Sequence, residues 1–284
     1  MIDLHLHTTA SDGRCTATEL VGRVAAAGVR VFAVTDHDTV AGHAEAARAA
    51  ALHDLVFVPG IEVTAVWAGR DVHVLGYWVD GERPAFAAFL REQRTRRVAR
   101  IEAIGAALGA AGAAIDLGPL LTRLADHPGT SVGRPDLARL LVAAGHAVSL
   151  QDAFDRYLAE GQPAYVARSG VSPEDAVALI HDAGGLASLA HPGVTRRDDR
   201  LEAWAAAGLD AIEAYHSDHS EADTAFYLER ARALDLLVTG GSDFHGDEPV
   251  SHRARRRDVG GVTLPADAWQ ALVTRHAAAP RRAS

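Results

Sequence analysis

Residues 1–38 read MIDLHLHTTASDGRCTATELVGRVAAAGVRVFAVTDHD, and this stretch decides the fold. Ile2 to Leu6 reads as a strand. Thr16-Ala-Thr-Glu19 resembles a capping box opening a helix that runs to about Ala27, where Gly28 suits the C-terminal cap. Val29 to Val34 is the next strand, followed at once by Thr35-Asp-His-Asp38. The unit is strand, helix, strand, with polar residues gathered where each strand stops.

The same rhythm extends outward. Residues 42–52 read as a helix, Leu55 to Val58 as a strand, and Val63 to Trp67 with Val72 to Trp78 as two strands joined through Ala68-Gly-Arg-Asp71. From Pro84 to about Leu158 only helical patterns occur, broken near Gly118 and at Asp126 to Gly129. Ser172-Pro-Glu-Asp175 then caps a helix that ends at Gly184-Gly185. Strands follow at Leu186 to Ala190, Ala211 to Ala214 and Leu236 to Thr239, with helices near 199–207, 220–234 and 266–277. Strands alternating with helices predict an α/β parallel sheet or barrel, formed by residues 1–80 and 159–284, with 81–158 as an inserted helical lid.

Bulk composition narrows the function. The 284 residues are 48% hydrophobic and 23% charged, the mixture of a soluble globular chain. A formal charge of −9, with every basic residue an Arg, argues against broad nucleic-acid coating and against a stable nucleic-acid complex. A few local Arg can still hold a small anion. The single cysteine, Cys15, allows no intrachain disulfide and fits a reducing cytoplasm. The N-terminal residues do not read as a secretory signal, and no run is apolar enough to suggest a membrane span. Oligomeric state is not legible.

The chemistry lies at the strand ends. His5 and His7 are two apart on a strand, so both imidazoles point to one side and can hold a divalent metal. Alone such a pair is a weak signal. It recurs, however, as Thr35-Asp-His-Asp38, Pro59-Gly-Ile-Glu62, Asp71-Val-His73, Ala190-His-Pro192 and Gly241-Ser-Asp-Phe-His245. Each places a metal-ligating side chain where an α/β barrel puts its active site. His43, His53, His127, His146, His181, His252 and His276 fit helices or loops and read as structural. Burying so many polar groups together is costly unless metal ions compensate.

The ordered set HLH 5–7, SDG 11–13, TDHD 35–38, PGIE 59–62, His73, AHP 190–192 and SDFH 242–245 resembles the polymerase-and-histidinol-phosphatase (PHP) family over residues 1–80 and 165–246. The resemblance implies a distorted (β/α)7 barrel with a trinuclear centre. It assigns His5, His7, Glu62 and Asp243 to a first metal, with Glu62 bridging to a second held by His73 and His191. Asp12, His37 and His245 hold the third. The ligand set mixes imidazole with carboxylate and has no thiolate, which suits Mn²⁺, Fe²⁺ or Zn²⁺ alike; the resemblance implies Mn²⁺.

The helical insertion and Gly-Arg-Pro at 133–135 are similar to the branch that removes the 3′-phosphate of nucleoside 3′,5′-bisphosphates or trims short 5′-phosphorylated RNA. That branch carries His after Arg-Pro, where this chain has Asp136. Arg134 is then the expected phosphate contact, and Arg196 or Arg197, His216 and His219 are further substrate-side candidates. The expected reaction is hydrolysis by a metal-activated hydroxide. One rival is a histidinol-phosphate or other small phosphomonoester phosphatase; another is a non-catalytic metal-binding module. Whether Arg134 and the helical insertion line the metal pocket separates the two enzymatic readings.

Overall fold

The apolar runs pair side by side in chain order. A computed structural model describes residues 1–246 and 254–279; His252, read as structural, lies outside the described residues. Seven strands, β1 (Ile2–Asp3), β2 (Val31–Val34), β3 (Val56–Trp67), β4 (Arg70–Tyr77), β5 (Leu186–Leu189), β6 (Ala211–His216) and β7 (Leu237–Gly241), form one sheet in the order β1 to β7. The sheet curls on itself. Leu4 N donates to Gly240 O at 3.1 Å, and Leu6 bridges Phe244 in parallel fashion, so the seam between first and last strands is nearly closed.

All neighbours are parallel except at β4, which runs antiparallel to both β3 and β5. The reason is local: Ala68 and Gly69, both at positive φ, make a two-residue hairpin turn, too short for a crossover helix. One expectation is corrected here. Pro59-Gly60-Ile61-Glu62 does not follow a strand but lies inside β3, which is continuous where two strands were expected. Pro59 is the last β3 residue paired to β2 and Gly60 the first paired to β4. Pro sits where the pairing changes hands, and a Cβ on Gly60 would come within 2.8 Å of the Thr35 side chain.

Helices α1 (Ala17–Ala26), α2 (His43–Leu52), α7 (Pro173–Asp182), α9 (Leu201–Ala206), α10 (Glu221–Ala233) and α12 (Ala266–Ala278) cover the barrel, and α8 (Pro192–Thr195) and α11 (Ala254–Arg257) are short. The capping boxes at Thr16/Glu19 and Ser172/Asp175 are both formed. Val63, Val74, Ile180, Leu189, Trp204 and Ile212 belong to the largest buried cluster, which Phe86 and Phe89 also join.

The 84–158 block is helical throughout: α3 (Pro84–Ala110), α4 (Gly118–Asp126), α5 (Arg134–Ala143) and α6 (Leu150–Ala153), which runs into a π-turn at Phe154–Leu158. It has its own core, in which Ile104, Leu108, Leu124, Leu137, Leu141 and Leu158 pack together. Helix α3 therefore starts against the barrel through Phe86 and Phe89 and ends in a second core. Leu137→Ala is expected to cost about 2–5 kcal/mol through cavity formation. Native-state hydrogen exchange should then accelerate across 101–166 and leave the barrel strands protected; uniform acceleration would show that the two cores open as one.

Candidate metal centre

At the carboxyl ends of the parallel strands the side chains converge on Glu62, which is 1% exposed. Its two oxygens face different partners. Oε1 lies 2.7 Å from His73 Nδ1 and 2.9 Å from His191 Nε2, whereas Oε2 lies 3.2 Å from each of His5 Nε2, His7 Nε2 and His37 Nδ1. Asp243 Oδ1 stands 3.3 Å from His5 Nε2 and 3.2 Å from His7 Nε2. Asp12 Oδ1 stands 3.2 Å from His245 Nε2, and its Oδ2 3.8 Å from His37 Nε2. All nine residues expected as ligands thus meet in one place.

These atoms form groups that can hold an ion: His5, His7, Glu62 and Asp243; His7, Asp12, His37 and His245; and His37, Glu62 and His73. Hydrogen bonds join some of these atoms, as between His191 Nε2 and Glu62 Oε1 at 2.9 Å, but they do not satisfy all of them. Both nitrogens of His7, Nδ1 of His37 and Nδ1 of His191 are buried without a hydrogen-bond partner. Orphaned imidazole nitrogens facing carboxylates at 3.2 Å suit a divalent cation, and the absence of thiolate suits a hard or borderline one.

The electrostatics agree. Burial opposes ionisation of Glu62, yet His37, His73 and His5 around it hold its carboxyl well below the usual range. Asp12 and Asp243 behave alike, burial being outweighed at Asp12 by His245 and His37 and at Asp243 by His5 and His245. Burial alone would strip His7 of its proton, but Asp243 and Glu62 raise its pKa to about 10. His37 is pushed down to about 3 by burial.

Buried groups around these residues fix their directions. Asp36 accepts from Thr8 N (2.8 Å), Thr8 Oγ1 (2.6 Å) and Ser11 Oγ (2.5 Å), which shapes the loop that presents Asp12. Arg139 of α5 donates to the Asp12 carbonyl. Asp136, where His was expected, accepts from Gly133 N at 2.9 Å and pairs with Arg123 and Arg139. It caps α5 and steadies the arginine that reaches Asp12.

Next to the centre lies a cavity of about 130 Å³ whose lining includes Asp12, His37, His73, Arg97, Arg134 and Arg168. A second lobe of about 310 Å³ shares Asp71, His73 and Arg134 with it and adds Arg70, Tyr165 and Arg197. Arg134 therefore stands between the two lobes, within reach of the centre, and pairs with Asp71 at 3.4 Å. Arg97 and Arg168 were not foreseen. Arg97 is 7% exposed and donates to Asp38 Oδ2 (2.7 Å), Val132 O (2.8 Å) and Thr64 Oγ1 (2.9 Å). Burial, with Arg97 nearby, draws the Arg168 guanidinium down to about 9.

The other substrate-side candidates divide. Arg197 lines the second lobe, whereas Arg196 turns away to Asp223 at 3.0 Å. His216 and His219 are not in either lobe. His216 faces Asp243 Oδ2 at 3.4 Å, and His219 has both nitrogens engaged, by Ala214 O and by Gly193 N. The histidines read as structural stay apart: His43 contacts Gly60 O, His146 contacts Ala114 O and His181 pairs with Asp210.

The PHP domain model matches residues 3–95. A 3′,5′-nucleoside bisphosphate phosphatase of Chromobacterium violaceum is 38% identical over 88% of this chain and 90% of its own length. A 5′-3′ exoribonuclease of Haemophilus influenzae is 37% identical over 86% and 89%. A solved structure from Bifidobacterium adolescentis, described provisionally as a metal-dependent phosphoesterase, is 31% identical, covers 96% of both chains and superposes with a TM-score of 0.86. Among the described residues no helix is long and apolar enough to cross a membrane.

In the metal-free protein the His7 proton must leave before a cation can bind its nitrogen. With a pKa of about 10, that proton is held throughout the neutral range. Apparent Mn²⁺ affinity is therefore expected to rise about tenfold per pH unit for each proton displaced, and to level off near the His7 pKa. Calorimetric titrations in buffers of different ionisation enthalpy would detect the released proton; affinity independent of pH would contradict this.

Proposed function

The chain belongs to the PHP domain family and is a metal-dependent phosphoric ester hydrolase, and on that premise we propose that it removes the 3′-phosphate from nucleoside 3′,5′-bisphosphates. The observation that carries this reading is the position of Arg134. It stands on the inserted helices, yet lines both lobes of the cavity beside His73. A substrate with one phosphate at the centre and a second in reach of Arg134, Arg97 and Arg168 uses every part of that cavity. Histidinol phosphate offers only one phosphate and has none to place beside those arginines.

We assign three divalent ions, with Mn²⁺ preferred: one to His5, His7, Glu62 and Asp243, one to Glu62, His73 and His191, and one to Asp12, His37 and His245. Such ions polarise phosphoryl oxygens and lower the pKa of water, supplying a nucleophile at neutral pH. The chain's own residues do the rest. The guanidinium of Arg134 meets phosphate oxygens through charge-assisted hydrogen bonds and sets the distance between the two phosphates. Arg97, locked to Asp38 and Thr64, holds α3 over the site and keeps that wall of the cavity in place. Residues 81–158, on this reading, are a substrate lid.

A second substrate, short 5′-phosphorylated RNA, is favoured by the second lobe, where Arg197 adds a guanidinium past His191 and Arg70 is paired with Glu160 at 3.4 Å. Two of the relatives bracket these choices, one named for bisphosphates and one for RNA. A reducing cytoplasm fits the single buried cysteine.

Phosphate release from adenosine 3′,5′-bisphosphate, adenosine 3′-monophosphate, a short 5′-phosphorylated RNA and histidinol phosphate tests the reading. His7→Ala and Asp243→Ala are expected to abolish turnover with the fold retained. Arg134→Ala should raise KM for the bisphosphate by about 10- to 100-fold, the scale of one charge-assisted hydrogen bond, with little effect on the 3′-monophosphate. Preference for histidinol phosphate would overturn the substrate assignment, and full activity after chelation would overturn the role of metal.

A further inference from the structure

Strand β6 supplies none of the nine residues assigned to metal, yet two of its polar side chains, Glu213 and His216, are fully buried against them. They are three apart. On a regular strand residues three apart point to opposite faces. Here the register to β7 shifts between Glu213 and Tyr215: Glu213 pairs with Thr239 and Tyr215 with Gly240, so one residue is extra. This bulge turns the phase of the strand and brings His216 to the side that Glu213 already faces. The ring atoms of His5 and His216 and a carboxylate oxygen of Glu213 then lie within 4.8 Å of one another.

Each of the two side chains makes a contact with a defined consequence. Glu213 Oε1 lies 2.8 Å from His5 Nδ1. A carboxylate can only accept, so Nδ1 carries the hydrogen and Nε2 is left as the atom facing Glu62 and Asp243. The other oxygen, Oε2, accepts from His191 N at 2.7 Å. His191 has a backbone φ of 27°, a conformation that side chains other than glycine rarely adopt, and Glu213 fastens it there. His216 Nδ1 accepts from Asp218 N at 3.1 Å, so in the neutral ring Nε2 keeps the hydrogen, and that atom faces Asp243 Oδ2 at 3.4 Å. The opposite oxygen of Asp243 is the one turned towards His5 and His7.

We propose that β6 is a positioning strand, in which the bulge presents Glu213 and His216 so that His5, His191 and Asp243 are set for metal before any ion arrives. Glu213 is the central member, because one carboxylate governs a side chain on the Oε2 side of Glu62 and a backbone on the Oε1 side. The proposal rests on the reading of the centre as a metal site.

The test uses the full chain stripped by chelation and titrated calorimetrically with Mn²⁺, comparing wild type with Glu213→Gln and His216→Gln. Glutamine keeps the shape of Glu213 but cannot accept at both ends, because one end becomes an amide donor. Each variant is expected to bind Mn²⁺ about 10- to 100-fold more weakly, while the metal-free circular dichroism spectrum and urea midpoint stay near those of wild type. Wild-type Mn²⁺ affinity in a folded Glu213→Gln protein would overturn the proposal. Should Glu213→Gln fail to fold, His216→Gln decides by the same criterion. A wild type that binds no Mn²⁺, Fe²⁺ or Zn²⁺ would remove the metal centre itself and the role of β6 with it, an outcome distinct from unaltered variants.

Discussion

A single carboxylate, Glu62, sits buried among five imidazoles, and much of the molecule exists to keep it there. Concentrating this many polar groups out of water is unfavourable unless cations tie them together. The scaffold answers with rigidity. The barrel seam closes directly beside His5, since Asp243 N donates to His5 O at 2.9 Å and His7 N donates to Phe244 O at 3.0 Å. Asp38, His191 and Asp243, all non-glycine residues at positive φ, border or form the cluster. Strained backbone of that kind costs about 1–3 kcal/mol per residue and persists only where its surroundings over-determine it.

Electrostatics explain how an acidic chain can receive a polyanion. The formal charge of −9 belongs to the chain as a whole, whereas Arg97, Arg134 and Arg168 line a confined cavity. Asp38 and Asp71 partly neutralise them: Arg97 pairs with Asp38 at 2.6 Å and Arg168 with Asp71 at 3.3 Å. Three guanidiniums are thus gathered beside the histidine and carboxylate cluster, with Asp38 and Asp71 as their partners. Local charge therefore sets the ligand class, and the sign of the whole chain does not.

The residues that converge on Glu62 were legible because they obey simple periodicity. His5 with His7, and Asp243 with His245, are two apart at strand ends, and His37 and His191 directly follow apolar runs. What escaped was polar function inside regular elements. Glu213 stood in an apolar strand, Ala211-Ile-Glu-Ala214, and that single charge was the available signal. His216 was read as facing substrate because the bulge that re-aims it leaves no mark in the hydrophobic pattern. Arg97 and Gln93 are four apart and both buried, but α3 holds so many arginines that its inward face cannot be told from its outward one. Glu62 was singled out, although its segment was read as following a strand; Pro and Gly there mark a change of pairing partner within one strand.

The antiparallel course of β4 has a consequence for how such a fold can vary. Because β4 runs against its neighbours, it ends at the rim opposite the histidine cluster, where β5 begins, and Tyr77 is paired directly with Leu186. The backbone at either end of the intervening segment is also joined, Asp80 N donating to Ala183 O at 2.9 Å. Everything between is an out-and-back excursion: α3, about 40 Å long by its 27 residues, climbs to the far rim, and the chain later returns. The strand order does not require the inserted helices 84–158, whereas α7 on the return path packs Ala176, Val177 and Ile180 into the barrel's own core. The insertion's length and lining can change over evolutionary time with the strand order untouched, so the helices beside the cavity are free to diversify around a fixed barrel.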